Sequence, residues 1–372
     1  MFNNNLLMGA ASAGGESLVE IGNSALFDSA NSEYLSRTPS SAGNRDTWTI
    51  SYWVYKTYIS GARAFFTAGS NNTNVTELRD QGTGILEYRH QDGGSITDSI
   101  ITTAVFRDIG WYHIVWAVDT TQAVESSRVI LYVNGERITD FSTANYPAQN
   151  ADTDVNATVP TNIGARTGPD QYWSGYMAEA VLIDGLQLTP TSFGQYDSTG
   201  TFWTPKSSAE IKALTFGTNG FYLDNTTNAE TDASGNGNNF TNNNTVTTST
   251  HTPTNLNALW NPLSTVGLTT RFPQLSAGNT TAGFSGSTSA RAMLTLPVFY
   301  NTHLEFTVTQ SSGSDTSYPY LQVFPFSTDD YNGDILVNQS AAGGSGGTGL
   351  ASGVSIPNWT TGDRDWETVN SK

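Results

Sequence analysis

Acidic side chains at alternate positions of this sequence are candidates for catalysis. In a β-strand such residues lie on one face, where one carboxylate can act as a nucleophile and another as an acid in glycoside cleavage. The closest spacing is Asp363-Arg-Asp-Trp-Glu367, which follows a Thr-Gly turn near the end of the sequence. We expect a solvated loop at that position rather than a catalytic site.

A single histidine lies within an apolar run. His113 alternates with Trp111 and Val115, so the three side chains share one face of a predicted strand. We expect His113 to be a hydrogen-bonded residue of the fold rather than a base.

Oxygen-bearing side chains cluster in two predicted loops that could hold a hard cation. Calcium takes six to eight oxygen ligands from carboxylates, amides and carbonyls. One loop contains Asp152 and Asp154, and the other contains Asp330, Asn332 and Asp334. The second spacing resembles half a calcium loop, although the trailing Gly and Glu are missing. Calcium is the one cofactor that the sequence suggests, and acidic surface loops are the alternative.

One predicted loop combines the side chains that bind sugars. It carries Arg166, Asp170 and Gln171, which can bond hydroxyl groups, and then two aromatic residues, Tyr172 and Trp173, which can stack on a sugar ring. The alternative for Trp173 is that it begins the next strand and packs inward. The sequence therefore predicts a ligand-binding loop at residues 166–173.

The composition of the chain excludes several classes of function. The 372 residues include 16 Lys and Arg, 33 Asp and Glu, no Cys and four His, with a net charge of −17. The lack of Cys excludes a disulfide framework and a thiolate metal site. No basic patch is available for nucleic acid, and no apolar run approaches the ~20 residues of a membrane helix. We expect neither nucleic-acid binding nor membrane insertion.

Apolar residues alternate with a period of two along most of the chain, which indicates β-strands. Trp48–Tyr55, Trp111–Asp119 and Tyr176–Asp184 show the pattern, and Asn134-Gly135 predicts a hairpin turn after Arg128–Val133. A short helix is predicted at residues 207–214, where Ser207 and Glu210 have capping-box spacing. The fold class is therefore all-β, with antiparallel sandwiches.

Changes in composition divide the chain into four parts. Residues 1–24 form a small-residue arm, residues 25–206 a first sandwich, residues 207–258 a connector and residues 259–372 a second β-rich domain. The connector is rich in Asn and Thr, and such a segment cannot bury a core by itself. We expect it to be a linker or a loop draped over the surface.

The first sandwich resembles the laminin-G-like branch of the concanavalin A-like lectin superfamily. The segments that carry the resemblance are Leu26–Leu35, Trp48–Val54, Trp111–Trp116, Val129–Gly135 and Gly175–Asp184. The resemblance implies a two-sheet antiparallel jelly roll that binds glycans or proteins at its rim, in some members through calcium.

The following residues resemble structural proteins of marine bacteriophages. The resemblance is carried by Phe216–Leu223, Asp232–Phe240 and Thr252–Asn255. Leu259–Leu263 and His303–Val308 resemble the beginning of a SPRY domain. The later SPRY strands are not evident, so a second, SPRY-like sandwich here is either incomplete or divergent.

These resemblances imply a non-enzymatic virion protein, a fibre or appendage assembled in the host cytoplasm, that recognises host-surface glycans. Residues 1–24 would contact other virion proteins, and the chain would form a homo-oligomer, with a trimer favoured by fibre symmetry. Two alternatives stay open: a structural decoration or head-fibre protein that binds only other virion proteins, and a glycan-cleaving tailspike-type enzyme.

Overall fold

The chain divides into two units, Met1–Leu256 and Asn257–Lys372. The structure, a computed structural model, describes residues 19–58, 60–106, 110–256, 259–260, 274–283, 291–296, 318–323, 333–340 and 354–355. Most of the predicted arm, residues 1–18, lies outside the described residues, as does Asp363-Arg-Asp-Trp-Glu367.

The described part of the first unit is built mainly of short strands. In chain order they are β1 (Ser24–Phe27), β2 (Tyr34–Arg37), β3 (Thr47–Lys56), β4 (Arg63–Asn71), β5 (Asn74–Asp80), β6 (Leu86–Asp92), β7 (Ser95–Thr102), β8 (Trp111–Asp119), β9 (Val129–Val133), β10 (Glu136–Arg137), β11 (Phe141–Asn145), β12 (Thr161–Ile163), β13 (Gly175–Asp184), β14 (Gly194–Tyr196), β15 (Trp203–Pro205), β16 (Phe221–Leu223), β17 (Thr241–Asn243) and β18 (Thr247–Ser249). Helix α1 (Ser208–Lys212) begins at a Ser207–Glu210 capping box, which confirms that prediction. No described helix is long and apolar enough to cross a membrane.

Two antiparallel sheets pack face to face. The first sheet has the order β10-β9-β8-β3-β13-β1-β18, with β16 also paired to β13, and the second has the order β11-β7-β6-β5-β4-β12-β2-β17. The strand runs and the Asn134-Gly135 hairpin are as predicted; both hairpin residues have positive φ, 50° and 84°.

Alternation sends one set of side chains from each sheet into a common core. Trp48, Ile50, Tyr52 and Val54 of β3 pack in the same buried cluster as Phe66, Leu78, Tyr88 and Ile100 of the second sheet. Burial of these large apolar side chains is the main force holding the sheets together.

The other face of the first sheet is also buried. At one end Val115, Val181 and Ile183 are covered by Phe193, Ile211 and Phe216. At the other end His251 lies against Tyr55, Trp111 and Tyr176, with ring centroids 4.7, 5.4 and 4.8 Å away. Residues 185–256 thus supply a third layer over this sheet.

The Asn/Thr-rich segment therefore differs from the expected connector. Strand β16 pairs with β13, β17 with β2 and β18 with β1, so the segment extends both sheets. Phe221, Leu223, Phe240 and Val246 enter the main core. The first unit continues to Leu256 rather than ending near Lys206, because a few apolar residues and backbone pairing suffice to place a polar segment.

Asn and Asp side chains in this segment form hydrogen bonds with backbone N–H and carbonyl groups. Asp232 accepts from the backbone N–H groups of Tyr222, Ser234 and Asn238 at 2.8–2.9 Å. The side-chain amides of Asn236 and Asn238 both donate to the carbonyl of Gly220. Short polar side chains can satisfy buried backbone groups in this way, which accounts for the composition of the segment.

A buried ion pair joins the two sheets at one end. Lys56 Nζ, at the end of β3, donates to Asp80 Oδ2 at 2.8 Å, and both side chains are at least nine-tenths buried. Asp80 also accepts from the Tyr58 hydroxyl and from the backbone N–H groups of Gly82 and Gly84. Four donors therefore satisfy this carboxylate away from water.

In the second unit the described residues form a five-stranded antiparallel sheet and a hairpin. The strands are β19 (Leu259–Trp260), β20 (Gln274–Ser276), β21 (Thr281–Gly283), β22 (Arg291–Leu296), β23 (Tyr318–Val323), β24 (Gly333–Ser340) and β25 (Val354–Ser355). His303–Val308 lies outside the described residues.

We predict that the third layer is required for folding. A fragment ending at Lys206 lacks α1 and three strands, and it removes Ile211 and Phe216 from the apolar cluster around Val115, Val181 and Ile183. We expect it to show no cooperative thermal unfolding by near-ultraviolet circular dichroism, whereas a fragment ending at Leu256 unfolds cooperatively. Equal melting of the two fragments would show that the segment is a dispensable linker.

We also predict that Asp80→Ala destabilises the first unit by about 3–5 kcal/mol, because it leaves a buried lysine and two buried N–H groups without their acceptor. Urea unfolding measures the change. Asp152→Ala is the control: it removes an exposed pair with Arg45 and should cost less than about 1 kcal/mol. Similar losses in both variants would contradict a special role for Asp80.

Candidate functional site

Residues 164–173 form a strap along the outer face of the second sheet. Its ends are joined, since the Trp173 N–H donates to the Gly164 carbonyl at 2.7 Å. Gly164 has a φ of 85°, and a Cβ there would lie 2.8 Å from the Phe27 ring, so only glycine is accommodated. Loops with joined ends are frequently functional.

The structure separates the five residues predicted to bind a ligand. Asp170, Gln171 and Tyr172 are half-buried at the surface of the strap. Arg166 is largely buried beneath it. Trp173 is completely buried and packs on Phe65, with ring centroids 4.6 Å apart. Of the two interpretations of Trp173, the structure therefore supports the alternative of inward packing, and the stacking role is wrong, because the ring belongs to the core.

Under the strap, Glu77 of β5 is shared by two guanidinium groups. Its Oε1 accepts from Arg166 Nε and its Oε2 from Arg89 Nη2, and the Glu77 side chain is completely buried. Arg89 lies on the neighbouring strand, directly opposite Glu77 in the register. This carboxylate therefore ties the strap to two strands of the sheet.

A second carboxylate continues the network. Glu87 Oε2 accepts from Arg79 Nε at 2.6 Å and from Gln81 Nε2 at 2.9 Å. Arg79 Nη1 in turn donates to Gln171 Oε1 at 3.3 Å, so Gln171 is held from below. A buried charged group therefore positions Gln171 at the surface of the strap.

Asn72 fixes the tip of the strap. Its side chain accepts from the Gly168 N–H at 2.7 Å and donates to the Gly168 carbonyl at 3.1 Å. Arg166 Nη2 donates to the Asn72 carbonyl at 2.9 Å and to Gln91 Oε1 at 3.3 Å. The strap is thus attached at its tip as well as at its joined ends.

The strap leaves hydrogen-bonding capacity unused. Among the described residues, Thr167 Oγ1, Asp170 Oδ1 and Arg89 Nε are buried without a partner. Unpaired buried polar atoms are uncommon in folded proteins.

Burial shifts the ionisation of two groups here. Desolvation raises the pKa of the Asp170 carboxyl, while Arg166 acts in the opposite direction. Desolvation lowers the pKa of the Arg89 guanidinium, and Glu77 opposes that shift. Both changes reflect charges held in a poorly solvated place.

His113 is a structural residue, as the sequence predicts. It is completely buried, and desolvation lowers its pKa to about 3. Trp203 Nε1 donates to its Nδ1 at 2.9 Å, so the neutral ring carries its proton on Nε2 and donates to Ser51 Oγ, 2.8 Å away. The ring therefore cannot act as a base towards Ser51.

The described residues do not assemble the predicted calcium ligands. Asp152 pairs with Arg45 at 3.0 Å, and the Asp154 carboxylate lies 3.8 Å from His90 Nδ1. Within the described part of the chain no group of three or more acidic or histidine residues could hold a metal ion.

The second set of predicted calcium ligands is placed differently from the expected loop. Asp334 lies in β24, where it pairs with Thr295 rather than standing in a loop. Asp330 and Asn332 lie outside the described residues.

Four residues of the network were not predicted from the sequence. They are Glu77 and Arg79 in β5 and Glu87 and Arg89 in β6. Their signal is a Glu-x-Arg spacing repeated in two neighbouring strands, which places four charges on one face.

Comparison with known proteins finds a family model that is similar to part of this chain. A family model described as the concanavalin A-like lectin/glucanases superfamily matches residues 29–191. This part of the chain has the concanavalin A-like, laminin-G-like fold that the sequence resemblance implied. No curated protein matches the chain.

Solved structures similar to the chain include proteins of several kinds. A candidate carbohydrate-binding protein from Bacteroides ovatus is 16% identical, with 64% of this chain and 63% of that chain covered and a TM-score of 0.41. A pentraxin from Limulus polyphemus is 18% identical over 46% of this chain and 80% of its own, with a TM-score of 0.35. Domains LG4-5 of the mouse laminin alpha1 chain are 12% identical over 48% and 47%, with a TM-score of 0.32. The chain thus spans less than two thirds of the Bacteroides protein.

A second perturbed carboxyl lies in the first sheet. Glu179 occupies a β-bulge of β13 with a φ of 53°, an uncommon conformation for a residue other than glycine. Its carboxyl accepts from the Tyr222 hydroxyl. Desolvation raises its pKa to about 8, and Asp224 adds to the shift while Lys212 opposes it. This acid binds its proton more tightly in the folded chain than in the unfolded one.

We predict that Glu179 makes stability depend on pH. Between an unfolded pKa near 4.5 and the folded pKa of about 8, the folded state holds the extra proton, so stability falls as pH rises through this range. Glu179→Gln should remove the dependence and raise the free energy of unfolding at pH 9 by roughly 3–5 kcal/mol relative to wild type, with little gain at pH 4.5.

Urea unfolding at the two pH values tests this prediction. Glu125→Gln, at an exposed position, is the control and should follow the wild type. A constant difference between Glu179→Gln and wild type at both pH values would rule out the titration of this carboxyl.

Proposed function

We propose that the strap and the strands beneath it form a saccharide-binding site, and that the protein recognises glycans without cleaving them. The observation that carries the proposal is the placement of Asp170, Gln171 and Tyr172 at the surface above a buried network of Glu77, Arg79, Arg89 and Arg166.

The exposed groups suit the chemistry of a sugar. The Asp170 side chain is 49% exposed and can accept from a hydroxyl group, and the Gln171 amide can both donate and accept. The Tyr172 ring, whose hydroxyl is held by the Pro169 carbonyl at 2.8 Å, can pack on an apolar face of a sugar. Groups held in place before binding lose less entropy when a ligand arrives.

The same network argues against cleavage. Both oxygens of Glu77 accept from guanidinium groups, and Glu87 is occupied by Arg79, Gln81 and Ser99. Neither carboxyl has an oxygen left to carry a proton to a leaving group, which glycoside hydrolysis requires. These residues position the strap and do not act as an acid and a nucleophile.

We propose further that this site belongs to a bacteriophage appendage. Support comes from the resemblance of Phe216–Leu223 and Asp232–Phe240 to phage structural proteins. Attachment through residues 1–24 and a trimeric assembly would present several weak sites together, and avidity would then strengthen adhesion to a host surface. Binding of labelled protein to bacterial cells, competed by soluble saccharide, is the expected behaviour.

We predict that Tyr172→Ala weakens saccharide binding about tenfold, because it removes the aromatic surface of the site while the buried network stays intact. A glycan array identifies a ligand for the full chain, and isothermal titration calorimetry measures its affinity, which EDTA should not change. No release of reducing ends is expected during incubation.

Tyr196→Ala is the matched control, since Tyr196 is an exposed tyrosine on β14, outside the strap. It should bind as the wild type does. Equal losses in the two variants would place the site elsewhere. Absence of binding to any saccharide, with docking to virion proteins instead, would support the purely structural role.

A further inference from the structure

The balance of charges on the outer face of the second sheet depends on Asp170. Three guanidinium groups, of Arg79, Arg89 and Arg166, face two buried carboxylates, Glu77 and Glu87. The third guanidinium, of Arg166, has Asp170 as its further acidic neighbour, 3.7 Å away, which makes three carboxylates for three guanidinium groups. Displacement of that one neighbour would leave a positive charge in a chain whose net charge is −17.

The contact between Asp170 and Arg166 is loose. Asp170 Oδ2 lies 3.7 Å from Arg166 Nη1, too far for a direct hydrogen bond. The Asp170 side chain is 49% exposed, whereas the Arg166 side chain is 12% exposed. Asp170 Oδ2 also accepts from Asn72 Nδ2 at 3.3 Å, so a carboxylate from outside that takes the place of Asp170 breaks one long hydrogen bond.

Arg89 adds to the attraction for an anion. Its side chain is nine-tenths buried, and its Nε–H has no acceptor among the described residues. Burial of a guanidinium with incomplete compensation is unfavourable, as the lowered pKa of Arg89 reflects. A second negative charge near the shared Glu77 would relieve that cost.

We infer that the saccharide bound at the strap is anionic, that its carboxylate is drawn to Arg166 and the guanidinium groups beside it, and that Asp170 opposes its binding as a competing carboxylate. The inference rests on the proposed saccharide site and names its ligand class. Guanidinium groups match the planar geometry of carboxylates, so a carboxylated sugar fits the donors better than a neutral one.

Matched ligands separate charge from sugar shape. Calorimetry on the full chain would compare an oligogalacturonide with its neutral methyl ester, and an oligosaccharide ending in a sialic acid with the same oligosaccharide lacking it. We expect tighter binding of at least one acid than of its neutral partner. A difference in affinity within the oligogalacturonide pair would identify a uronate as the source of the carboxylate, and a difference within the other pair would identify a sialate.

Asp170→Asn is the decisive variant, because a half-exposed side chain can be changed without disturbing the fold. We expect it to strengthen binding of the acid about three- to fivefold, the range of a surface charge pair, and to change binding of the neutral partner by less than that, because an amide oxygen still accepts from a hydroxyl group. Asp152→Asn makes the same change in net charge on another loop, where Asp152 pairs with Arg45, and should have no effect.

The outcomes distinguish the inference from the proposed function. Equal or weaker binding of both acids relative to their neutral partners, with loss of binding in Tyr172→Ala, would overturn the anionic ligand and leave the saccharide site in place. An equal gain in Asp170→Asn and Asp152→Asn would attribute the effect to net charge and also overturn the inference. Failure of every saccharide would remove the proposed function itself.

Discussion

The first sheet is apolar on both faces, and much of the remaining structure follows from the need to cover it. One face packs on the second sheet, and the other carries Val115, Val181 and Ile183 as well as aromatic residues. Exposure of such a surface to water would cost about 25 cal/mol for each Å². The chain meets this need by returning over the sheet after β13, so that residues 185–256 form a third layer. Residues that are polar in composition are thereby fixed in position.

The second sheet differs from the first, because its outer face is lined by charged residues that must be paired when they are buried. Glu77 is buried there only because Arg89 and Arg166 both donate to it. A buried charge is tolerated when it is paired and hydrogen-bonded, and here the pairing extends from the sheet into the strap. The positions of Arg166 and Gln171 in the strap are therefore set by hydrogen bonds to charged groups. Substitution of a buried residue of this network would therefore displace the whole strap, whereas substitution of a residue at the surface of the strap would not.

Local signals explain which features the sequence predicts and which it does not. The alternation in Trp48–Tyr55, the Asn134-Gly135 turn and the Ser207 cap act over a few residues, and each is found in the structure. The strands β16, β17 and β18 were not predicted, because their partners lie tens to hundreds of residues away in the chain. Trp173 shows a related limit within the site: its sequence neighbours allow either a surface position or inward packing, and the contact with Phe65 in the structure decides for the latter.

An anion that displaces Asp170 would approach the guanidinium groups of the strap through the field of an acidic chain. The net charge of −17 repels an anion at long range, whereas the guanidinium groups attract it only at contact. Salt screens exposed charges beyond about 10 Å at 0.1 M and screens partly buried pairs much less. Moderate salt would then weaken the repulsion more than the attraction, which is the reverse of the behaviour of a basic protein on an acidic polymer. Selectivity at the strap would thus come from short-range contacts, and a high local density of sites on a surface would compensate for slow encounter.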